Sequence, residues 1–205
     1  AGPDGVGKRT FAMELAKAVT CHAPVDGDAC GECDSCVRAQ SGEHPDIRVF
    51  VPEGTLHKIA SMRDLAREAQ YRPFDNHRRV MVVDDAHKMR DEAANAILKT
   101  LEEPPPTTLI VLVTDQPYSL LGTIRSRCQT LRFAPVDAAS IERFLASRFA
   151  RPLDETQLLA HVAAGRIGRA LSTDLSVYRD QRKEMLGLVE LPRAVTFYEQ
   201  VFAAP

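Results

Sequence analysis

Arg79-Val80-Met81-Val82-Val83-Asp84-Asp85 decides the fold. Its apolar residues run without alternation over the length of one strand, which is the pattern of a strand buried on both faces of a parallel sheet. The two carboxylates that follow stand where such a sheet presents groups to a ligand, at the carboxyl end of a strand. Leu109-Ile110-Val111-Leu112-Val113 repeats the unbroken pattern, and Ile47-Arg48-Val49-Phe50-Val51 gives an alternating version that ends at Pro52. Thr130-Leu131-Arg132-Phe133 reads as a further short strand. Between these runs, Ile59, Met62, Leu65, Ala66 and Ala69 recur at helical spacing. A second helix, from about Lys88 to Glu103, turns Met89, Ala93, Ile97 and Leu101 inward until Pro104-Pro105-Pro106 stops it. Strands alternating with helices imply an α/β fold with a doubly wound parallel sheet.

After Pro135 the pattern holds helices only. Ile141, Phe144 and Leu145 mark one, Leu158, Leu159 and Val162 another, and Ala170 to Leu188 a third. The chain has 205 residues, enough for one domain and part of a second, with 44% hydrophobic and 26% charged residues. That composition excludes disordered and collagen-like chains. With 26 Lys+Arg against 28 Asp+Glu the formal charge is −2, so a nucleic-acid binder acting through bulk charge is not expected. No run has the length of a membrane span, and none has the n-region and h-region of a signal peptide.

The chain opens on Gly2-Pro3-Asp4-Gly5-Val6-Gly7-Lys8, which has the form of a phosphate loop. Its glycines let backbone N–H groups converge on phosphate oxygens, its lysine reaches the terminal phosphates, and the helix behind it adds its positive end. That helix is expected to bury Phe11, Leu15 and Val19, with Ala12 and Ala16 beside them. The residue after the lysine should be Ser or Thr, to bind Mg²⁺; here it is Arg9, and Thr10 lies about 100° further round the helix. Only Ala1 precedes Gly2, whereas such a loop leaves a central strand, so the sheet is expected to lack that strand. Asp84 is placed to hold Mg²⁺ through water. Asp85 takes the place where nucleotide hydrolases commonly put a Glu, one methylene longer. The competing readings are a plain glycine-rich turn for the loop and helix-capping carboxylates for the pair. Arg127, in Ser126-Arg127-Cys128, could reach a neighbour's phosphates or be an ordinary surface cation.

Cys21, Cys30, Cys33 and Cys36 fall in the spacing C-x8-C-x2-C-x2-C. Thiolates two residues apart on a tight knuckle can share one tetrahedral ion, and four of them leave no open position, so the expected site is structural zinc. Two disulfides are the alternative, and they belong to secreted domains. His22 and His44, nearby, are expected to be surface residues, and Cys128 to be buried alone.

Taken together, residues 2–8, the cysteine insertion after the first helix, 82–89 (VVDDAHKM), 93–105 (AANAILKTLEEPP), 126–128 (SRC) and 165–171 (GRIGRAL) resemble the clamp-loader branch of the AAA+ ATPases. Within it they are most similar to the delta-prime subunits of bacterial DNA polymerase III, and next to gamma/tau. The resemblance implies a RecA-like AAA+ parallel sheet over 1–135 with a zinc module at about 20–37. It implies a small all-helical lid at 136–175 and the start of a collar at 176–205. It implies ATP-site roles for Gly2, Gly5, Gly7, Lys8, Arg9, Thr10 and Asp84, with Asp85 a degenerate catalytic position. Thr114 is implied as the first sensor, Arg169 as the second, and Arg127 as an arginine finger offered in trans. The implied cofactors are structural Zn²⁺ and weakly bound ATP/Mg²⁺. The implied partners are gamma/tau and delta subunits in a hetero-pentamer, which brings the sliding clamp and primed DNA through the assembly, with no membrane and a cytoplasmic location. Arg9 and Asp85 depart from the motor pattern, so the expected role is a non-motor stator whose own ATPase is weak or absent. The alternatives are a gamma/tau-type motor ATPase and, in another class, a zinc-stabilised interaction module without a nucleotide.

Overall fold

The computed structural model describes residues 1–75, 78–149 and 151–190. At its centre β2 (Arg79–Val83) is buried along its whole length. It is flanked in parallel by β1 (Ile47–Phe50), with Ile47 opposite Val80, and by β3 (Thr108–Leu112), with Val83 opposite Leu112. The order β1-β2-β3 is that of one parallel three-stranded sheet among the described residues. Because side chains alternate along a strand, the unbroken apolar run of β2 feeds two cores. Met81 and Val83 pack with Phe50, Met62, Leu65, Ile97 and Ile124 on one face. Val80 and Val82 pack with Ala12, Ala16 and Ile47 on the other.

The first of these faces is covered by α3 (Ile59–Ala69) and α4 (Asp91–Glu102), which also pack on each other. The helix at 91–102 starts three residues later than the spacing predicts. Asp85 adopts a left-handed φ of 49°, a 3₁₀ turn over Ala86–Lys88 follows, and Asp91 and Glu92 then occupy the first turn of α4, where the helix dipole favours acids. The opposite face is covered by α1 (Lys8–Thr20), whose buried residues are Ala12, Ala16 and Thr20. The expected Phe11 stripe is therefore corrected by one position. Small residues let the helix lie close to the sheet, and Phe11 is exposed, edge-on to Phe133 with ring centroids 5.2 Å apart.

The cysteine segment contains α2 (Asp34–Ser41), which the sequence reading did not anticipate. α5 (Gly122–Arg125) precedes the Ser126-Arg127-Cys128 turn. The expected strand at 130–133 does not form. Its backbone meets Ala1 instead: Phe133 N–H donates to Ala1 O, the Ala1 ammonium donates to Leu131 O, and Gly2 N–H donates to Thr114 O. Ala1 and Gly2 thus lie between the end of β3 and this segment. Cys128 is half-buried against the first core, and that burial raises its thiol pKa.

The chain divides into two compact units, Ala1–Pro135 and a second beginning at Val136. The second is helical: α6 (Ala138–Phe149), α7 (Leu153–Ala163), α8 (Ile167–Ser172) and α9 (Leu175–Glu190). Ile141, Leu145, Leu159, Ala163, Ala170 and Leu175 form its core. The single helix expected from Ala170 to Leu188 is two, parted at Thr173-Asp174. Asp174 Oδ1 accepts the N–H and hydroxyl of Ser176, a capping arrangement that starts a new helix. Of the expected collar region, 176–190 lies in α9 and 191–205 falls outside the described residues. No helix among the described residues is long and apolar enough to cross a membrane.

Candidate functional site

The phosphate-loop residues and the strand-end carboxylates meet at the carboxyl end of the sheet. Gly7 caps α1 with φ 97°, a conformation L side chains rarely adopt. The helix has no side-chain cap and no acid in its first turn, so its positive end is left for an anion. Gly2 is required for a different reason: a Cβ there would lie 2.4 Å from Phe133 O. Lys8 Nζ folds over its own loop and donates to Pro3 O at 2.7 Å.

Both carboxylates are engaged by cations of this chain. Arg9 Nη1 lies 3.2 Å from Asp84 Oδ2, the arginine side chain being 60% exposed and the aspartate 15%. Asp84 Oδ1 accepts the N–H of Asp85. Asp85 turns to Lys88, whose Nζ donates to Oδ2 at 2.8 Å; that bond is the main reason its carboxyl pKa sits below the ordinary range. Thr10 is exposed. Thr114, buried just past β3, accepts the N–H of Gln116 through Oγ1 and contacts His87 Nδ1 at 3.3 Å. His87 Nδ1 is also 3.1 Å from Asp115 Oδ1, within ion-pair range but without hydrogen-bond geometry.

Gly2, Gly5, Gly7, Lys8, Arg9, Asp84, Asp85 and Thr114 therefore share one end of one unit. Arg127 sits elsewhere on that unit. Its Nη2 is 2.8 Å from Glu102 Oε1, its Nη1 donates to Thr123 O, and about a third of the side chain is exposed. Arg169 is an exposed residue of α8 in the second unit. The sequence reading missed His57, which is buried and donates from Nε2 to Asp84 O at 2.7 Å. A lone histidine far from any motif gives no signal for that contact.

The four cysteines converge. Cys21 closes α1, Cys33 caps α2 and Cys36 lies inside α2. All four Sγ atoms lie within 4.8 Å of one another, with no disulfide. Cys30 N–H donates to Cys21 Sγ and Cys33 N–H to Cys30 Sγ. The N–H groups of Cys36 and His22 bring the Cys33 thiol down to about 6, while burial pushes Cys36 up to about 12. The cluster can hold a metal ion.

A buried polar chain ties this module to the sheet. Ser35 Oγ donates to Thr20 O at 2.6 Å, His44 Nε2 meets Ser35 Oγ at 2.9 Å, and Asp46 N–H donates to His44 Nδ1 at 3.0 Å. With Nδ1 accepting, His44 is the neutral tautomer bearing its proton on Nε2. The expectation of a surface His44 is thereby corrected: it is 3% exposed, because Ser35 and the Asp46 amide satisfy both ring nitrogens. Asp46 was also missed. Its carboxylate, fully buried, accepts the N–H groups of Phe74 and Asp75 and two donors of Arg79.

A family model described as "DNA polymerase III, delta subunit" matches residues 1–137. The chain is 41% identical over 143 residues to DNA polymerase III subunit delta' of Bacillus subtilis, covering 69% of this chain and 43% of that protein. It is 33% identical to the Pseudomonas aeruginosa subunit delta' over 100% of this chain and 62% of that one. To the Escherichia coli subunit tau it is 31% identical over 99% of this chain and 33% of that protein. It thus spans less than two thirds of each relative. Among solved structures, a gamma subunit-related DNA polymerase III protein of Thermotoga maritima superposes with a TM-score of 0.54 at 25% identity, over 80% of this chain and 52% of that one. The α/β unit is accordingly a RecA-like AAA+ domain.

Proposed function

The chain belongs to the delta-prime family of bacterial DNA polymerase III clamp-loader subunits, and from that membership we propose that it acts as a stator, completing a neighbour's ATP site without firing its own. One observation carries this reading. Both carboxylates that would work in a motor are held by the chain's own cations, Asp84 by Arg9 and Asp85 by Lys88. Arg127, paired with Glu102 at a partly exposed position, is the group proposed to act outward. A guanidinium placed against a neighbour's γ-phosphate stabilises the charge that develops in phosphoryl transfer. The partners are gamma/tau and delta subunits in a hetero-pentamer that opens the sliding clamp and closes it on primed DNA.

The experiment is reconstitution of the full-length protein with motor subunits. Arg127→Ala is expected to abolish most of the clamp-loading ATPase; unchanged turnover refutes the finger role. A gamma/tau-type motor would instead show Mg²⁺-dependent hydrolysis by the isolated full-length protein, lost in Lys8→Ala. The tau relatives match at similar identity, so it is the Arg9–Asp84 pair, not overall likeness, that supports the stator over the motor.

The four-cysteine cluster is proposed to hold structural zinc. A tetrahedron with zinc–sulfur bonds of ~2.3 Å has edges of ~3.8 Å. The Sγ separations of 3.5 Å for Cys21–Cys30 and 3.9 Å for Cys21–Cys33 and Cys30–Cys36 fit it. Four thiolates would leave such an ion no position for a substrate, and by holding it Cys21, Cys30, Cys33 and Cys36 would fix the end of α1 to the start of α2.

A further inference from the structure

Mg²⁺ does not fit the phosphate loop of this chain. The ion needs near-octahedral oxygen ligands, of which a phosphate loop supplies a hydroxyl after its lysine and a strand-end carboxylate. The hydroxyl position carries Arg9, whose guanidinium lies 3.2 Å from Asp84 Oδ2. A divalent cation entering here would meet a positive charge and the carboxylate paired with it. Thr10, the nearest hydroxyl, is exposed and displaced by a turn of about 100°. Asp85 offers no substitute, since Lys88 holds it.

The features that bind phosphate itself are present, with Lys8 Nζ resting on Pro3 O of the same loop. Gly7 opens α1 in the left-handed region, the first turn lacks both a side-chain cap and an acid, and Lys8 precedes Arg9 on that turn. A guanidinium has five donors in a planar fork, so it can keep one edge on a carboxylate and present another to phosphate oxygens. We propose that Arg9 is a tethered replacement for the divalent cation, and that this loop binds a nucleoside di- or triphosphate in its metal-free form, with Arg9 neutralising the phosphate charge that Mg²⁺ would otherwise carry. The proposal rests on the family reading of the loop as a nucleotide site and adds which ionic form that site takes. It also gives the stator a reason to hold nucleotide without hydrolysing it, because the metal that would polarise the terminal phosphate has no place.

The test is calorimetric titration of the full-length protein with ADP and with ATP, in excess EDTA and in excess Mg²⁺. The wild-type dissociation constants are expected to be as tight in EDTA as in Mg²⁺. Arg9→Ser restores the usual hydroxyl; it is expected to bind about tenfold more weakly in EDTA and to regain affinity when Mg²⁺ is added. Lys8→Ala is expected to remove binding under both conditions, which assigns the signal to this loop. Circular dichroism checks that both variants fold. Wild-type binding that tightens tenfold or more on adding Mg²⁺ overturns the proposal. So does binding by neither nucleotide in either condition, and so does binding indifferent to Lys8→Ala. Failure of the stator reading is seen separately, as ATPase of the assembly unaffected by Arg127→Ala.

Discussion

Arg127 and Glu102 form an ion pair within one chain, Nη2 to Oε1 at 2.8 Å, although the role proposed for that arginine lies on another subunit. Glu102 stands at the end of α4, just before the prolines that stop it. The pair is partly exposed, and pairs of this kind are worth roughly 0.2–1 kcal/mol. If Arg127 is the proposed finger, Glu102 is a weak latch on it, one that holds without trapping.

Removing the latch should free the finger. Glu102→Ala is expected to leave the protein folded and to raise the neighbour-dependent ATPase of a reconstituted loader by up to ~5-fold, the rate equivalent of about 1 kcal/mol. The rise should vanish in Glu102→Ala/Arg127→Ala. A fall in activity for the single variant would mean that Glu102 aims the arginine instead of restraining it.

Zinc content is the second test. The reduced protein is expected to carry one zinc per chain by elemental analysis. Cys33→Ala should lose it, and stripping by chelator should lower the melting temperature of the AAA+ unit. Metal-free protein with an unchanged melting temperature would show that the cluster is not a structural site.

The Asp46–Arg79 pair makes a prediction about acid stability. Burial alone would raise the Asp46 pKa, but the amides of Asp75 and Phe74 and the Arg79 guanidinium overcome it and hold the carboxyl below its usual range. A folded-state pKa below the unfolded value of ~3.9 contributes stability that is complete well above that value and is lost as pH falls through the folded one. Asp46→Asn leaves Arg79 buried without its charge partner and is expected to cost about 3–5 kcal/mol at neutral pH. Urea midpoints at neutral pH and near pH 3 should show the variant losing less on acidification than the wild type. Parallel acid sensitivity in both would remove Asp46 from the account.

Ser35→Ala interrupts the chain from Thr20 through His44 to Asp46. The variant removes the donor to Thr20 O and the acceptor of His44 Nε2–H, at roughly 1–3 kcal/mol. Because Ser35 adjoins Cys36 and is bonded to the last turn of α1, zinc should also dissociate faster from the variant. Stability and zinc release measured together separate the two effects, and unaltered zinc release would confine Ser35 to packing.

The sequence told most where one local rule governed. β2 and β3 were legible because unbroken apolar runs have few other homes, and the cysteine cluster because its spacing is itself the geometry. Phe11 was misread because large residues dominate a periodicity count, whereas close helix-to-sheet packing selected Ala12 and Ala16. Residues 130–133 carry a strand pattern but join no ladder among the described residues, and pairing is not a local property. His44, Asp46 and Arg79 were invisible as a network because, beyond the local His44–Asp46 contact, their bonds join positions up to 33 residues apart. Asp84 and Asp85 were found as a pair, yet the cations that occupy them follow from which way Arg9 and Lys88 point, which no spacing rule supplies.

His57 is buried with its Nε2 on Asp84 O, and Asp84 is the residue whose carboxylate meets Arg9. A group that drew Arg9 away from Asp84 would change the electric field at that ring, so the His57 imidazole resonance is a built-in reporter of what occupies the loop.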